Sequence, residues 1–441
     1  MRRFLVVVIF AALLVPQTAI ASDCSWDQSP GWVQRENSKS GTAEWADETP
    51  LRFSADFTRR KTKERVEGYF GATSVGCGEK TPLTIIGAAS ADISIYRIGY
   101  YKGAGARLVM TVNSAKSFTA NAKTPPGEYL VKLNSPGRAS SFVPIVVRSQ
   151  AIKSEITFVS SVLTWQAYNQ WGGTSLYKGA DGTRETRATS LTFDRPFDGD
   201  GAGQFRYMEE PLVQLIEKMG IDTNYFTDID LDKAERINSG SIVLGGHSEF
   251  WSYSMRSVIE KAVRAGTNLV VFGGNSGYAQ TLIDGRSLIG RNPFRDLGMP
   301  ESKILGSQFF ALGIRKDLES QNTWPFSVLG RNAVIKGIYG YEADTAMGTI
   351  GPGVEILARA TISPTEKGFV AMSTYYNAPS GATVLNMGTI GWVCAMANRC
   401  PWGYAFDSQT QQQINLVTAA ILRAAKSGNW RVAKIDIPTR S

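Results

Sequence analysis

Residues 241–275 read SIVLGGHSEFWSYSMRSVIEKAVRAGTNLVVFGGN. Two short runs rich in β-branched and apolar residues, SIVLGG and NLVVFGGN, flank SYSMRSVIEKAVRAG. That middle segment starts on Ser252 and stops at Gly266, ordinary start and stop signals of a helix. Continuous apolar strands joined through a helix imply a parallel sheet covered on both faces. The alternation extends outward in both directions. ITFVSSVLTW, from Ile156, reads as a buried strand, MEEPLVQLIEKMG as an amphipathic helix closed by Gly220, and TNYFTD as a short strand. Later, GFVAMSTYY and ATVLNMGTIGW read as strands and QTQQQINLVTAAILRAA as a helix. Residues 151–430 are therefore predicted to form an α/β domain with a mostly parallel sheet flanked by helices.

Residues 22–150 have another texture. ADISIYRIGYY, ARLVMTV, GEYLVKLN and SFVPIVVRS are short alternating runs separated by Gly, Pro and Ser, the pattern of an antiparallel β-sandwich. AIKSE, from Ala151, is the predicted hinge. The polar residues 431–441 read as a peripheral tail, and no internal repeat is present. Residues 1–21 read as a secretory signal peptide: a basic Met1-Arg2-Arg3, the apolar FLVVVIFAALLV, and a small-x-small Ala19-Ile20-Ala21 cut before Ser22. No segment is long and apolar enough for stable membrane insertion. The expected location is secreted or periplasmic.

Four cysteines in an exported chain point to disulfides, and pairing within each region gives Cys24–Cys77 and Cys394–Cys400. Their spacing matches no zinc site. The formal charge is +8, of which Arg2 and Arg3 leave with the leader. Without a basic run interleaved with aromatics, nucleic-acid binding has no support. Self-association into a homo-oligomer is left open.

In open parallel sheets, ligands bind beyond the carboxyl ends of the strands. Polar candidates follow four predicted strands in turn. Tyr168 and Tyr177 follow the first, Asp228 the second, His247 and Glu249 the third, and Asn275 the fourth. Each has an ordinary structural explanation. His247, the one histidine of the chain, suits a turn; Glu249 suits a helix start; Asn275 tolerates positive φ; loop tyrosines pack. Their shared edge favours function. No G-x-S-x-G elbow, nucleophilic cysteine or phosphate-cradling loop competes with it. What remains is an oxygen-rich edge suited to a hard cation, and a ferric ion accepts phenolate. Such an ion supports hydrolysis without a protein nucleophile.

TWQAYNQWGG with SLY, TDIDLD, GGHSEFWS and VVFGGNSGY resemble, in order, the catalytic domain of the N,N-dimethylformamidase large-subunit family. The resemblance covers roughly 155–425, and IYRIGYYKGAGAR extends it into the β-rich part. It implies a mononuclear iron (Fe3+) held by two tyrosines and a glutamate, here Tyr168, Tyr177 and Glu249. It also implies His247 as a supporting acid–base group and Asn275 as a substrate-orienting residue. The loop between the tyrosines is shorter here than in the characterised enzymes. The family's catalytic glutamate falls on TYYNAPSGATV, which places Asn377 at that position. Asparagine is no general base, so another carboxylate serves, the substrate differs, or catalysis is lost. The leading expectation is an exported amidohydrolase acting on a small-molecule amide or an envelope-derived substrate. Two other readings stand beside it. One is a carbohydrate or cell-envelope binding module using Trp165, Trp171 and Trp251. The other is a hydrolase of another class, such as a polysaccharide deacetylase.

Overall fold

A computed structural model describes residues 24, 26–46, 65–149, 153–346, 353–361, 370–428 and 430. The leader assigned to 1–21, the tail 431–441 and hinge residues 151–152 lie outside the described residues. After a short helix, α1 (Trp32–Asn37), come strands β1 (Glu67–Phe70), β2 (Ser74–Val75), β3 (Lys80–Ile86), β4 (Asp92–Ile98), β5 (Ala106–Val112), β6 (Ser117–Thr119), β7 (Gly127–Asn134) and β8 (Ser141–Val147). They form two sheets, ordered β1-β3-β6 and β2-β8-β7-β4-β5, with every pairing antiparallel except β2 with β8.

The alternation along these strands feeds two cores. Ile93, Ile95, Tyr129, Val131, Val143 and Ile145 join Phe70, Leu83 and Phe118 of the smaller sheet in one apolar cluster. Their neighbours Tyr96, Ile98, Leu130, Phe142 and Val146 belong to the main core shared with the α/β region. The central strands of the larger sheet thus contribute to a core on each face. A disulfide, Cys24–Cys77, closes the start of this region, and Cys394–Cys400 closes a short loop near the other end.

The rest of the chain begins with β9 (Ser154–Ser160), α2 (Val162–Tyr168), β10 (Ser190–Thr192), α3 (Phe205–Met208), α4 (Glu210–Lys218), β11 (Thr223–Thr227) and α5 (Asp228–Asp232). Then come β12 (Ser239–Leu244), β13 (Phe250–Ser252), α6 (Tyr253–Arg264), β14 (Asn268–Val271), β15 (Ala279–Asp284), β16 (Ser287–Pro293) and α7 (Ser302–Leu305). Last are β17 (Gln308–Leu312), β18 (Lys316–Ser320), β19 (Val334–Tyr339), β20 (Glu342–Thr345), β21 (Glu355–Thr361), β22 (Val370–Asn377), β23 (Thr383–Asn386), α8 (Gly391–Met396) and α9 (Ser408–Ser427).

One nine-stranded sheet, ordered β11-β9-β12-β14-β23-β22-β21-β18-β19, organises this region. The sheet is mixed rather than mostly parallel. The pairings from β11 to β23 are parallel and those from β23 to β19 antiparallel. The reason is connection length. Parallel neighbours need a crossover of about a dozen residues or more, whereas residues 378–382 alone join β22 to β23. Val243 and Val270 pack with Leu212, Ile216, Val417 and Ile421 of α4 and α9 on one face. Ile242, Leu244, Leu269 and Val271 pack with Leu231, Met255 and Ile259 of α5 and α6 on the other. Ser252 caps α6 by accepting from the Met255 N–H at 2.9 Å.

A second difference concerns ITFVSSVLTW. The strand stops at Ser160 and α2 begins at Val162. Two buried carboxyl groups take the free N–H groups at this junction: Glu209 accepts from Ser161 at 2.9 Å and Asp228 from Leu163 at 2.9 Å. Periodicity cannot separate a buried strand from a buried helix, and this partner set decides it.

Candidate functional site

The parallel pairings bring the carboxyl ends of β9, β12 and β14 to one edge. Tyr168 ends α2 there, and the loop after it returns Tyr177 beside it. Arg195 fixes that loop by donating to the carbonyls of Gln166, Asn169, Trp171 and Thr174. The two phenol rings stack with centroids 4.2 Å apart. After β12, the chain passes through Gly245-Gly246 to His247 and Glu249, and β13 then intervenes before α6. Glu249 therefore does not sit at the helix start that its sequence position suggested.

Glu249 is fully buried. Its Oε2 accepts from the Tyr168 hydroxyl at 2.6 Å, and its Oε1 accepts from the Tyr177 hydroxyl. Arg291, on β16, brings Nη2 to 3.4 Å from Oε1 and lies 4.6 Å over the Tyr177 ring. Burial opposes ionisation of Glu249, but His247, Arg291 and the Tyr168 hydroxyl outweigh it and hold the carboxyl below the ordinary range. Burial, then the charge of Glu249, pushes both phenols well above their ordinary value.

His247 is also buried. Its Nδ1 lies 2.8 Å from Gln204 Oε1. Its Nε2 has no hydrogen-bond partner among the described residues. It stands 3.6 Å from Glu249 Oε2 and 3.7 Å from Glu342 Oε2.

Glu342 was not foreseen from the sequence. It opens β20, which docks on the loop after β23 through the Ile390 N–H to Glu342 carbonyl bond and the Ala343–Thr389 bridge. Asn275, held at φ 56°, donates from Nδ2 to Glu342 Oε2 at 2.9 Å and from its backbone N–H to Asp344 at 2.7 Å. Burial raises Glu342 to about 7, helped by the charge of Glu249 and opposed by His247 and Asn275. Burial likewise raises Asp344 to about 6. The alternation of two acids in YEADTA was the available signal: one face of a short strand carries both carboxyls.

The sequence profile described as N,N-dimethylformamidase beta subunit-like, C-terminal matches residues 92–402, well over half of the chain. The chain belongs to that family. No curated protein matches it. Among solved structures, one similarity is to pectate lyase Pel3 from Pectobacterium carotovorum, at 10% identity and a TM-score of 0.14. It covers 49% of this chain and 60% of that one, and at that score it carries no argument.

Within this N,N-dimethylformamidase-like chain, Tyr168, Tyr177, His247, Glu249 and Asn275 converge. Asn377 does not join them. It ends β22 opposite Thr383, at the start of β23 and so at the other edge of the sheet, exposed and bonded to Tyr375 and Thr383. An antiparallel strand carries its last residue away from the edge where parallel strands end. Asp228 caps α2 instead of joining the cluster. Trp165 and Trp251 are buried, and the half-buried Trp171 donates its indole N–H to Glu67 at 3.1 Å.

No cluster of three His, Cys, Asp or Glu side chains has metal-holding geometry among the described residues. The oxygen set at Glu249 is of another kind, one carboxylate with two phenols, and its chemistry fits a hard trivalent cation. Without one, the phenols stay protonated donors to Glu249; a cation would displace those protons.

Proposed function

We propose that this chain is an exported, metal-dependent hydrolase of a non-peptide C–N amide bond. Membership of the family supports a dimethylformamidase-like hydrolase. One observation carries the assignment to this site: the buried His247 Nε2, without a hydrogen-bond partner among the described residues, faces a low-pKa carboxylate on one side and a high-pKa carboxyl on the other. Two carboxyls whose environments separate their protonation states are the pattern of acid–base chemistry.

Tyr168, Tyr177 and Glu249 would hold a ferric ion, which when bound supplies Lewis acidity toward an amide carbonyl or water. The remaining roles belong to the chain itself. Glu342, near half-ionised at neutral pH, accepts a proton from water and returns one to the departing amine. Asn275 fixes the Glu342 carboxyl through Oε2. His247, pinned on Gln204, turns Nε2 to the reacting groups and stabilises charge that develops there. Burial of the cluster excludes bulk water and strengthens each of these contacts.

Export is supported by the two disulfides, which persist in oxidising compartments. Among the described residues no helix is long and apolar enough to cross a membrane. The two N-terminal sheets around their shared apolar cluster form a β-sandwich module, divided from the α/β part near residue 150.

The test is Glu249→Ala in the iron-loaded protein. We expect loss of bound iron by elemental analysis, loss of the phenolate charge-transfer colour, and loss of formamide hydrolysis. A variant that keeps its iron and colour would refute the assignment of ligands.

A further inference from the structure

About half of the described arginines are matched to acids. Arg35 pairs with Asp27, Arg97 with Glu217, Arg107 with Glu36, Arg206 with Asp200, Arg286 with Asp194, and Arg295 with Glu301. Arg184 and Arg187 differ. Neither forms an ion pair with an acidic side chain among the described residues; Arg187 instead donates to the Arg184 carbonyl at 2.8 Å. Both line a cavity of about 100 Å³ together with Leu176, Tyr177 and Arg291. No acid lies on its wall.

The loop that carries this pair keeps its own nearby acid occupied. Asp181 accepts from the Thr183 N–H and hydroxyl, each at 2.9 Å, and from the Thr186 hydroxyl. Tyr177 and Arg291 join the cavity to the candidate site, because both also contact Glu249. The inner Arg291 has a buried Nε with no hydrogen-bond partner among the described residues. Three guanidinium groups around a small cavity with no acid lining it, Arg291 reaching Glu249 through Nη2 but leaving Nε unpartnered among the described residues, are chemistry for an oxyanion.

Resting on the hydrolase reading above, we infer that the substrate is an amide that itself carries a carboxylate, bound by Arg184, Arg187 and Arg291 a few bonds from the C–N bond that is cleaved. An N-acylated amino acid has this form. The cavity has room for a carboxylate-sized group, and its outer arginines face solvent, where they raise the local concentration of anions. Hydrolysis adds water across the C–N bond; with N-formylglycine the products are formate and glycine.

The experiment compares N-formylglycine with its neutral methyl ester on the iron-loaded full chain, following formate release. The expected kcat/KM is at least about tenfold higher for the anion, mostly through KM, because the ester loses the charge-assisted contacts. Arg187→Ala lowers that ratio about tenfold, and Arg187→Glu brings it below one. Equal kcat/KM for both compounds in the unaltered protein would overturn the inference and leave the hydrolase reading standing. If neither compound is cleaved, formamide hydrolysis tests the hydrolase reading separately, and calorimetry with N-formylglycine decides the anion site. Binding that disappears in Arg184→Glu and Arg187→Glu supports the site, and no binding to the unaltered protein overturns it.

Discussion

A carboxyl that is half-ionised near neutrality can both take and give a proton, and Glu342 is in that condition because it is buried beside the ionised Glu249. Its Asn275 hydrogen bond fixes where the proton is exchanged. Glu342→Gln keeps the side-chain shape and a hydrogen-bonding partner for Asn275 but removes the titratable group. We expect kcat to fall about 10²- to 10⁴-fold, the range of a lost acid–base group, with iron content unchanged. The pH profile supplies a second readout. If the ionised Glu342 accepts the proton, kcat/KM rises as pH climbs through about 7, and that limb is absent in Glu342→Gln. A variant with full turnover and the same limb would remove Glu342 from the reaction. The paired acids of YEADTA are its one local signal, and they do not say which site it joins. It comes 67 positions after Asn275, and only the docking of β20 on the loop after β23 unites the two.

At the scale of elements, the two Gly-Gly pairs that end β12 and β14 explain how His247, Glu249 and Asn275 emerge side by side. The strands are parallel neighbours, and their exits pass backbone against backbone. A Cβ on Gly273 would lie 2.5 Å from the Gly246 carbonyl oxygen and 3.0 Å from that of Gly245. One on Gly274 would lie 3.0 Å from the Ile390 N–H nitrogen, in the loop that holds β20. These glycines are required for close approach, since main-chain atoms cannot swing aside as a side chain can. Gly273→Ala should therefore cost about 1–3 kcal/mol of stability, as overpacking does, and separate His247 from Asn275. The check is denaturant unfolding together with turnover; an unchanged midpoint would show that the exits can part freely. The glycine pairs and the helix between them were legible because strand, cap and stop signals coincide within one stretch. The boundary between β9 and α2 was not, because the run across it shows no clear period and the carboxyls that cap α2 come from Glu209 and Asp228.

Across the whole molecule, legibility followed how far apart in sequence the determining contacts lie. The parallel half of the large sheet is written in successive strand–helix units, so its edge and five of its site positions could be placed. The antiparallel half depends on hairpin returns, which turned Asn377 to the opposite edge and brought in Glu342 unannounced. The same long-range burial has a thermodynamic consequence where β7, β9, α4 and α5 meet. Burial raises Glu209 to about 8, against hydrogen bonds from Ser161, Ser160 and Trp165. Glu128 and Asp228 are also raised, first by burial and further by Glu209. Carboxyls with a folded pKa above the unfolded one bind extra protons in the fold. Their stabilising effect is complete below the ordinary carboxylate range and is lost as pH rises through about 8. Glu36, held at about 2 against its own burial by Arg97, Lys39 and Arg107, acts in the opposite sense, and its contribution is lost only as pH falls toward that value. Stability should therefore decline between about pH 5 and pH 8.5, with Glu209 contributing on the order of 2–4 kcal/mol. Urea unfolding at the two pH values measures this decline. Glu209→Gln, which keeps an acceptor for the Ser161 N–H, should flatten it; an equally steep decline in that variant would place the extra proton on another group.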